Sequence, residues 1–326
     1  MIETFKLYFF EVPLKTRLRK RKGILLELID SMGDSYWGEI SPLEGWSSET
    51  LDKAFVQLSS EVIKLSKQSP EISLTDVMEN ASLLPSVSMG LFGALQGLLR
   101  KNKPYVLSVS GLLYGSYAEI KKQLPYLEEQ GFAHVKLKTS SLSFSEAKEL
   151  IDFLEGKYIL RIDVNRSWAK EQADAFFSWF QRDRFEYIED PYPKGCDLKE
   201  FSYPLGADEA LREMPLKRLC ELPHLKAVVL KPMLMGFTKR MQELSTLAKQ
   251  KHWIVSLSSS FETGVGLYQI ALFAEYFGWT QFPLGLDTYR FLSPDLLQVS
   301  HTIQNGKMHF SSLKPSKKFL SEAVYA

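Results

Sequence analysis

Cysteine and histidine are scarce in this chain, and their scarcity removes several chemistries at once. Its 326 residues include two cysteines, Cys196 and Cys220, too few for a disulfide framework and without a CxxC pattern. Five scattered histidines share no HxxxH spacing, which argues against zinc and related transition-metal sites. Charge of one sign is also missing: the formal net charge is +1, so nothing global recommends nucleic acid or an anionic membrane as partner. No apolar run approaches the roughly 18 residues that a membrane helix needs. The opening MIETFKLYFFEVP places its basic residues after the apolar stretch, the reverse of a signal peptide, so the expected location is the cytoplasm.

What is present is an ordinary globular composition, 45% hydrophobic and 24% charged. The length suits a βα barrel of about 200–250 residues with a smaller companion. The first hundred residues read as strands and then helices. IETFKLYFFEV, GILLELID and SYWGEI are the strands, with a polar turn at Asp30–Asp34. A helix capped by Ser47 or Ser48 carries Leu51, Phe55, Leu58, Val62 and Leu65 at helical spacing, and Ser86–Leu99 is a second helix whose small residues permit close packing. From Tyr105 strands alternate with helices such as SEAKELIDFL and AKEQADAFFSWFQR. The expected barrel strands lie near 106–110, 133–138, 159–163, 186–190, 205–208, 227–231, 253–258 and 283–287. The last forty residues read as a hairpin, LLQVSHTI and KMHFSSL about a type I′ Asn305-Gly306 turn, expected to return to the N-terminal sheet. The expected units are a capping domain over 1–104, a barrel over 105–287 and a return to the cap over 288–326.

Charged residues recur at the ends of these strands: Lys136 and Lys138, Asp163, Glu189, Asp208 and Lys231. They are spaced about 20–26 residues apart, the length of one strand, loop and helix, so they converge on one barrel mouth. Any one acid alone reads equally as a helix cap, and HVKLK alone as an exposed edge strand; the phased set reads as a site. Three carboxylates without histidine or thiolate suit a hard divalent cation, most simply Mg²⁺, although Mn²⁺ takes similar oxygen ligands. Lys136 and Lys138 alternate about Leu137 and share a face. Two ammonium groups side by side depress each other's pKa, which favours a neutral lysine as general base. Lys231 follows an apolar run on the opposite side. Ser258, Ser259 and Ser260, with Gly264 and Gly266 beyond, offer backbone N–H groups for a substrate carboxylate, or simply a Gly/Ser loop. The run Arg17–Lys22 is a solvated loop or a basic flap over an anionic substrate.

The combination of Lys-x-Lys, Asp-x-Asn, Glu-Asp-Pro, Asp-Glu and Lys-Pro strand ends resembles the enolase superfamily, muconate-lactonising subgroup, over nearly the whole chain. Segments such as GEISPLEGWSSETL, LRIDVNRSW, VVLKPMLMG, SSSFETGVGL and GLDT are most similar to the o-succinylbenzoate synthase family. The resemblance implies a (β/α)7β TIM-like barrel with an α+β cap. It also implies syn elimination of water from 2-succinyl-6-hydroxy-2,4-cyclohexadiene-1-carboxylate in menaquinone biosynthesis. Lys138 is implied as the base, Lys231 as a protonated group on the other face, and Asp163, Glu189 and Asp208 as ligands of Mg²⁺, which stabilises the enediolate. Lys136 is implied to tune Lys138. Arg161 and Asn165 flank the first ligand, and Ser258–Ser260 with Gly285 face the substrate. The implied partner is a small carboxylate, in a monomer or small homo-oligomer. Glu189 is followed by Asp190 where relatives often carry a second glutamate, and Met233 and Met235 replace smaller or polar residues. Rival readings are an N-acylamino-acid racemase or dipeptide epimerase, a Schiff-base aldolase and a non-catalytic metal-binding scaffold. Against the epimerase, Asp287-Thr288-Tyr289 lacks an Asp-x-Asp.

Overall fold

The computed structural model describes residues 2–16, 18–65 and 69–323. Alternating side chains and a tight turn at positive-φ Gly33 build a meander of three antiparallel strands. These are β1 (Ile2–Pro13), β2 (Lys20–Asp30) and β3 (Ser35–Ile40). A helix over Leu51–Leu65 follows, its Lys53 N–H donating to Thr50 rather than to Ser47 or Ser48. Helices Pro70–Glu79 and Pro85–Arg100 complete this part. The third helix is buried along almost its whole length. It lies so close to β3 that a Cβ on Gly38 would stand 2.0 Å from the carbonyl oxygen of Gly90. The small residues of SVSMGLFGAL therefore do permit close packing, against β3.

Next come β4 (Val106–Ser108) and seven parallel strands: β5 (Gly111–Leu113), β6 (His134–Lys138), β7 (Ile159–Asp163), β8 (Tyr187–Glu189), β9 (Leu205–Ala207), β10 (Leu225–Leu230) and β11 (Ile254–Leu257). The parallel strands pair in sequence order from β5 to β11. Residues Leu284 and Gly285 close the curl, bridging in parallel to Val109 on one side and Ser258 on the other. The eighth strand expected over 283–287 is thus reduced to these bridges, because the chain turns into a 3-10 helix at Asp287–Phe291. The first barrel strand is also displaced from 106–110. Val106–Ser108 pairs instead with β13 (Lys307–His309), which pairs with β12 (Thr302–Gln304). Asn305 and Gly306 both take positive φ between β12 and β13, as a type I′ turn requires. That hairpin therefore forms a separate three-stranded sheet with β4, and the later β14 (Leu320–Glu322) is what joins β1 of the N-terminal sheet.

One continuous apolar core runs from the N-terminal sheet through the helices into the barrel, so cap and barrel share their packing. No helix is long and apolar enough, among the described residues, to cross a membrane.

Candidate active site

Parallel register sets the depth of each functional group. Lys138 pairs with Asp163, and Asp163 with Glu189, so the three lie at one level of the barrel. Asp208 follows β9 and Lys231 follows β10, at the same C-terminal ends. One register step deeper, Lys136 pairs with Arg161, and Arg161 with Tyr187. Val135 and Leu137 are buried on the opposite face of β6, so alternation turns both lysines the same way.

Lys136, Lys138 and Lys231 line a cavity of about 230 Å³ at this end of the barrel. Asp163, Glu189 and Asp208 lie behind them, each no more than 2% exposed. Lys136 Nζ stands 2.9 Å from Asp163 Oδ2 and 2.5 Å from Glu189 Oε2. Lys138 Nζ is 3.2 Å from Asp163 Oδ2 and donates to Asn165 Oδ1 at 3.3 Å, while Lys231 Nζ donates to Asp208 Oδ2. Burial disfavours charge on Lys136, but Asp163, Glu189 and Asp208 outweigh it and hold the ammonium well above its ordinary pKa. The mutual depression expected of two neighbouring lysines is thus overridden at Lys136 by acids on the next strands. Burial raises Asp163 too, yet Lys136, Lys138 and Lys231 draw it below the usual carboxylate range. Glu189 is pushed up to about 7, by burial and by the two other acids against the pull of Lys136.

Among the described residues no three acidic, histidine or cysteine side chains stand ready as a metal cage. The reason is local: ammonium groups occupy the acids. The donor set still fits a hard cation. Among the described residues, Glu189 Oε1 is buried without a hydrogen-bond donor, and Asp163 Oδ2 meets only ammonium groups outside hydrogen-bonding geometry. Both oxygens keep lone pairs that an oxygen-seeking ion would use. Asp190, adopting a positive φ of 37°, accepts from Glu209 N–H and Ala210 N–H and so shapes the turn after Asp208.

Arg161 is 1% exposed inside the barrel and donates to Glu186 Oε2 at 2.6 Å and to the Pro283 carbonyl at 3.1 Å. It supports the strands from beneath and does not line the cavity. Ser258, Ser259, Ser260 and Gly285 do line it. Their backbone N–H groups do not form an anion nest, one of the two readings the sequence left open. Ser258 N–H donates to the Leu230 carbonyl, Ser259 N–H to that of Gly285, and Ser260 N–H to Glu262. Among the described residues, the Ser260 hydroxyl is buried without a hydrogen-bond partner. At Gly285 a Cβ would meet Ser258 Oγ at 2.5 Å, so glycine there keeps the wall open.

The remaining walls were not apparent from sequence. Leu18, Leu43 and Trp46 reach in from the cap, with Lys231 Nζ 5.7 Å from the Trp46 ring. Leu234 lines the cavity, whereas Met233 turns away and its sulfur accepts from Ser41 N–H at 3.4 Å. Met235 is half-buried against the core. The run 17–22 is only partly loop: Leu18 and Arg19 lie in the turn between β1 and β2, with Leu18 at the cavity, whereas Lys20–Lys22 belong to β2, with Lys20 and Lys22 paired to Glu11 in solvent and Arg21 buried between them. Arg17 lies outside the described residues.

A cap over a curled parallel sheet is a fold shared with solved structures described as members of the enolase superfamily. A substrate-liganded L-Ala-D/L-Glu epimerase from Bacillus subtilis superposes with a TM-score of 0.79 at 18% identity, covering 99% of each chain. A magnesium-complexed o-succinylbenzoate synthase from Thermosynechococcus elongatus BP-1 superposes with a TM-score of 0.66 at 24% identity, over 88% of this chain and 93% of that one. Residues 2–98 match the family model described as MenC, N-terminal domain. An o-succinylbenzoate synthase of Yersinia pseudotuberculosis serotype I (strain IP32953) is 32% identical over 317 residues, 91% of this chain and 92% of the relative. The chain belongs to the o-succinylbenzoate synthase family.

Proposed function

We propose that this enzyme dehydrates 2-succinyl-6-hydroxy-2,4-cyclohexadiene-1-carboxylate to o-succinylbenzoate, a step of menaquinone biosynthesis. The observation that carries the reading is one small cavity with Lys138 on one wall and Lys231 on the other, and Asp163, Glu189 and Asp208 on the strands between. Asp163, Glu189 and Asp208 would hold a divalent cation, Mg²⁺ by their oxygen chemistry, and when bound it supplies Lewis-acid stabilisation of the substrate carboxylate.

Lys138, as the neutral amine, removes the proton on the carbon that bears the carboxylate. The electron pair of that C–H bond becomes the new ring C=C bond as the neighbouring C–O bond breaks. The departing hydroxyl takes the proton back from Lys138 and leaves as water, so one group on one face serves both transfers. Asn165 Oδ1, 3.3 Å from Lys138 Nζ, orients the amine. Lys231 stays protonated on the opposite face, where negative charge develops. The succinyl arm lies toward Ser258–Ser260, with the Ser260 hydroxyl as donor. The apolar wall of Leu43, Trp46 and Leu234 keeps water from the ring.

A racemase or epimerase would use the same two lysines. Asp287 weighs against an amine-binding role at the eighth strand end. It is 1% exposed and both its oxygens are engaged, one by Leu112 N–H at 2.9 Å and the other by Tyr126 Oη–H at 2.7 Å.

The test is turnover of the cyclohexadiene substrate with Mg²⁺, followed by absorbance of the aromatic product. Chelation by EDTA should abolish the reaction and added Mg²⁺ restore it. Lys138→Ala should lower kcat by at least about 1,000-fold. α-Proton exchange into N-acylamino acids or dipeptides without dehydration would move the assignment to racemase or epimerase.

A further inference from the structure

Arg21 carries a buried charge that the proposed chemistry does not use. It is 3% exposed, yet its guanidinium reaches two parts of the molecule far apart in sequence. Nε donates to the carbonyl of Phe261, in the barrel loop after β11, at 3.2 Å. Nη1 donates to the carbonyl of Pro42 at 3.0 Å, and Nη2 to the carbonyl and hydroxyl of Ser41, both in the cap segment after β3. These segments frame the cavity: Leu43 and Trp46 hang from the first, and Ser258–Phe261 form the second.

Two buried carboxylates complete the arrangement. Glu39 accepts from Ser41 Oγ at 2.6 Å on the cap side, and from Thr263 Oγ1 at 2.6 Å and Gly266 N–H at 2.9 Å on the barrel side. Glu262, fully buried, accepts from Ser260 N–H and fixes the serine that faces the cavity. One guanidinium thus lies near two buried acids, and its planar fork satisfies three carbonyl oxygens that a point charge could not reach together.

We propose that Arg21 is a positioning residue: it locks the cap segment Ser41–Trp46 to the barrel segment Ser258–Phe261 across the cavity and thereby sets substrate affinity, not the chemical step. Arg21 touches none of the reacting lysines or acids, so its loss should loosen the walls while leaving proton transfer intact. The kinetic part rests on the dehydration reading above; the structural part does not.

Three variants of the full chain test it: Arg21→Lys, which keeps the charge but not the fork; Arg21→Met; and Arg21→Met with Glu262→Gln, which removes one uncompensated acid. Each is assayed for kcat, KM, thermal midpoint and amide hydrogen exchange over residues 41–46 and 258–261. Arg21→Lys should keep a near-native thermal midpoint, raise KM at least 10-fold, leave kcat within about threefold, and speed exchange in both segments together. The double variant should show the same split even where Arg21→Met alone is too unstable to assay. A folded Arg21→Lys with native KM and native exchange would overturn the proposal, as would loss of kcat at unchanged KM. Should the wild type fail to turn over the cyclohexadiene, the dehydration reading falls. Hydrogen exchange then still decides the lock: coupled loosening of both segments supports it and native protection refutes it.

Discussion

Asp287→Asn should make this protein more stable, and by an amount that depends on pH. Asp287 is buried beside the cavity, and burial raises its carboxyl from 3.8 to about 6 against the attraction of Arg290. Each tenfold change in proton affinity is worth about 1.4 kcal/mol, so keeping this group ionised in the fold costs about 3 kcal/mol at neutral pH. The sign follows from proton counting. Between about 4 and 6 the folded state binds more protons here than the unfolded state, so the stability contributed by Asp287 falls as pH rises and is flat above. Asparagine imitates the neutral acid: its oxygen can still accept from Leu112 N–H, and its amide can donate to Tyr126 Oη once that hydroxyl rotates. The other buried acids are common to both proteins and cancel in the difference. Urea unfolding should show the variant ahead by about 3 kcal/mol at pH 7.5, shrinking to about 1 kcal/mol at pH 4.5. Turnover should stay within a fewfold of wild type. A variant destabilised equally at every pH would refute the burial argument. A stable variant with turnover reduced 100-fold would show that the carboxylate meets the substrate.

Two further substitutions test the cap. Gly38→Ala would drive a methyl group to 2.0 Å from the Gly90 carbonyl, a backbone atom that cannot step aside, so a loss of about 3 kcal/mol is expected in urea unfolding. Glu39→Ala strands the Ser41 and Thr263 hydroxyls and the Thr263 and Gly266 N–H groups without their acceptor, removes one of the two acids near buried Arg21, and should cost about 3–5 kcal/mol, read as a lowered thermal midpoint at fixed concentration.

The charged strand ends were legible because a strand, a loop and a helix repeat at near-constant length, and parallel register then brings distant residues to one level. Lys138, Asp163 and Glu189 meet for that reason. Strand limits were less legible where pairing depends on remote partners. Val106–Ser108 looks like barrel strand, but β13 claims it, and residues 283–287 keep only the bridges at Leu284 and Gly285. The charge state of Lys136 was misjudged because its local sequence shows a second lysine and hides the acids on the strands that follow. Leu43, Trp46 and Leu234 carry no local pattern that marks a cavity wall; their role arises from the docking of cap on barrel. Arg21 differs from Lys20 and Lys22 by strand alternation alone, a signal present in RKRK but obscured by four like charges in a row.

The pairing of β14 with β1 has a consequence for synthesis. Partners such as Phe10 and Leu320 are separated by about 300 residues, and the entire barrel is made between them. At ribosomal rates of about 5–20 residues per second, the outer edge of β1 waits some tens of seconds for its last neighbour. During that time it presents unpaired backbone groups along an alternating apolar strand, a template for wrong partners. The cap is begun before the barrel and sealed after it, and the edge of β1 is where the growing chain stays open to misassociation longest.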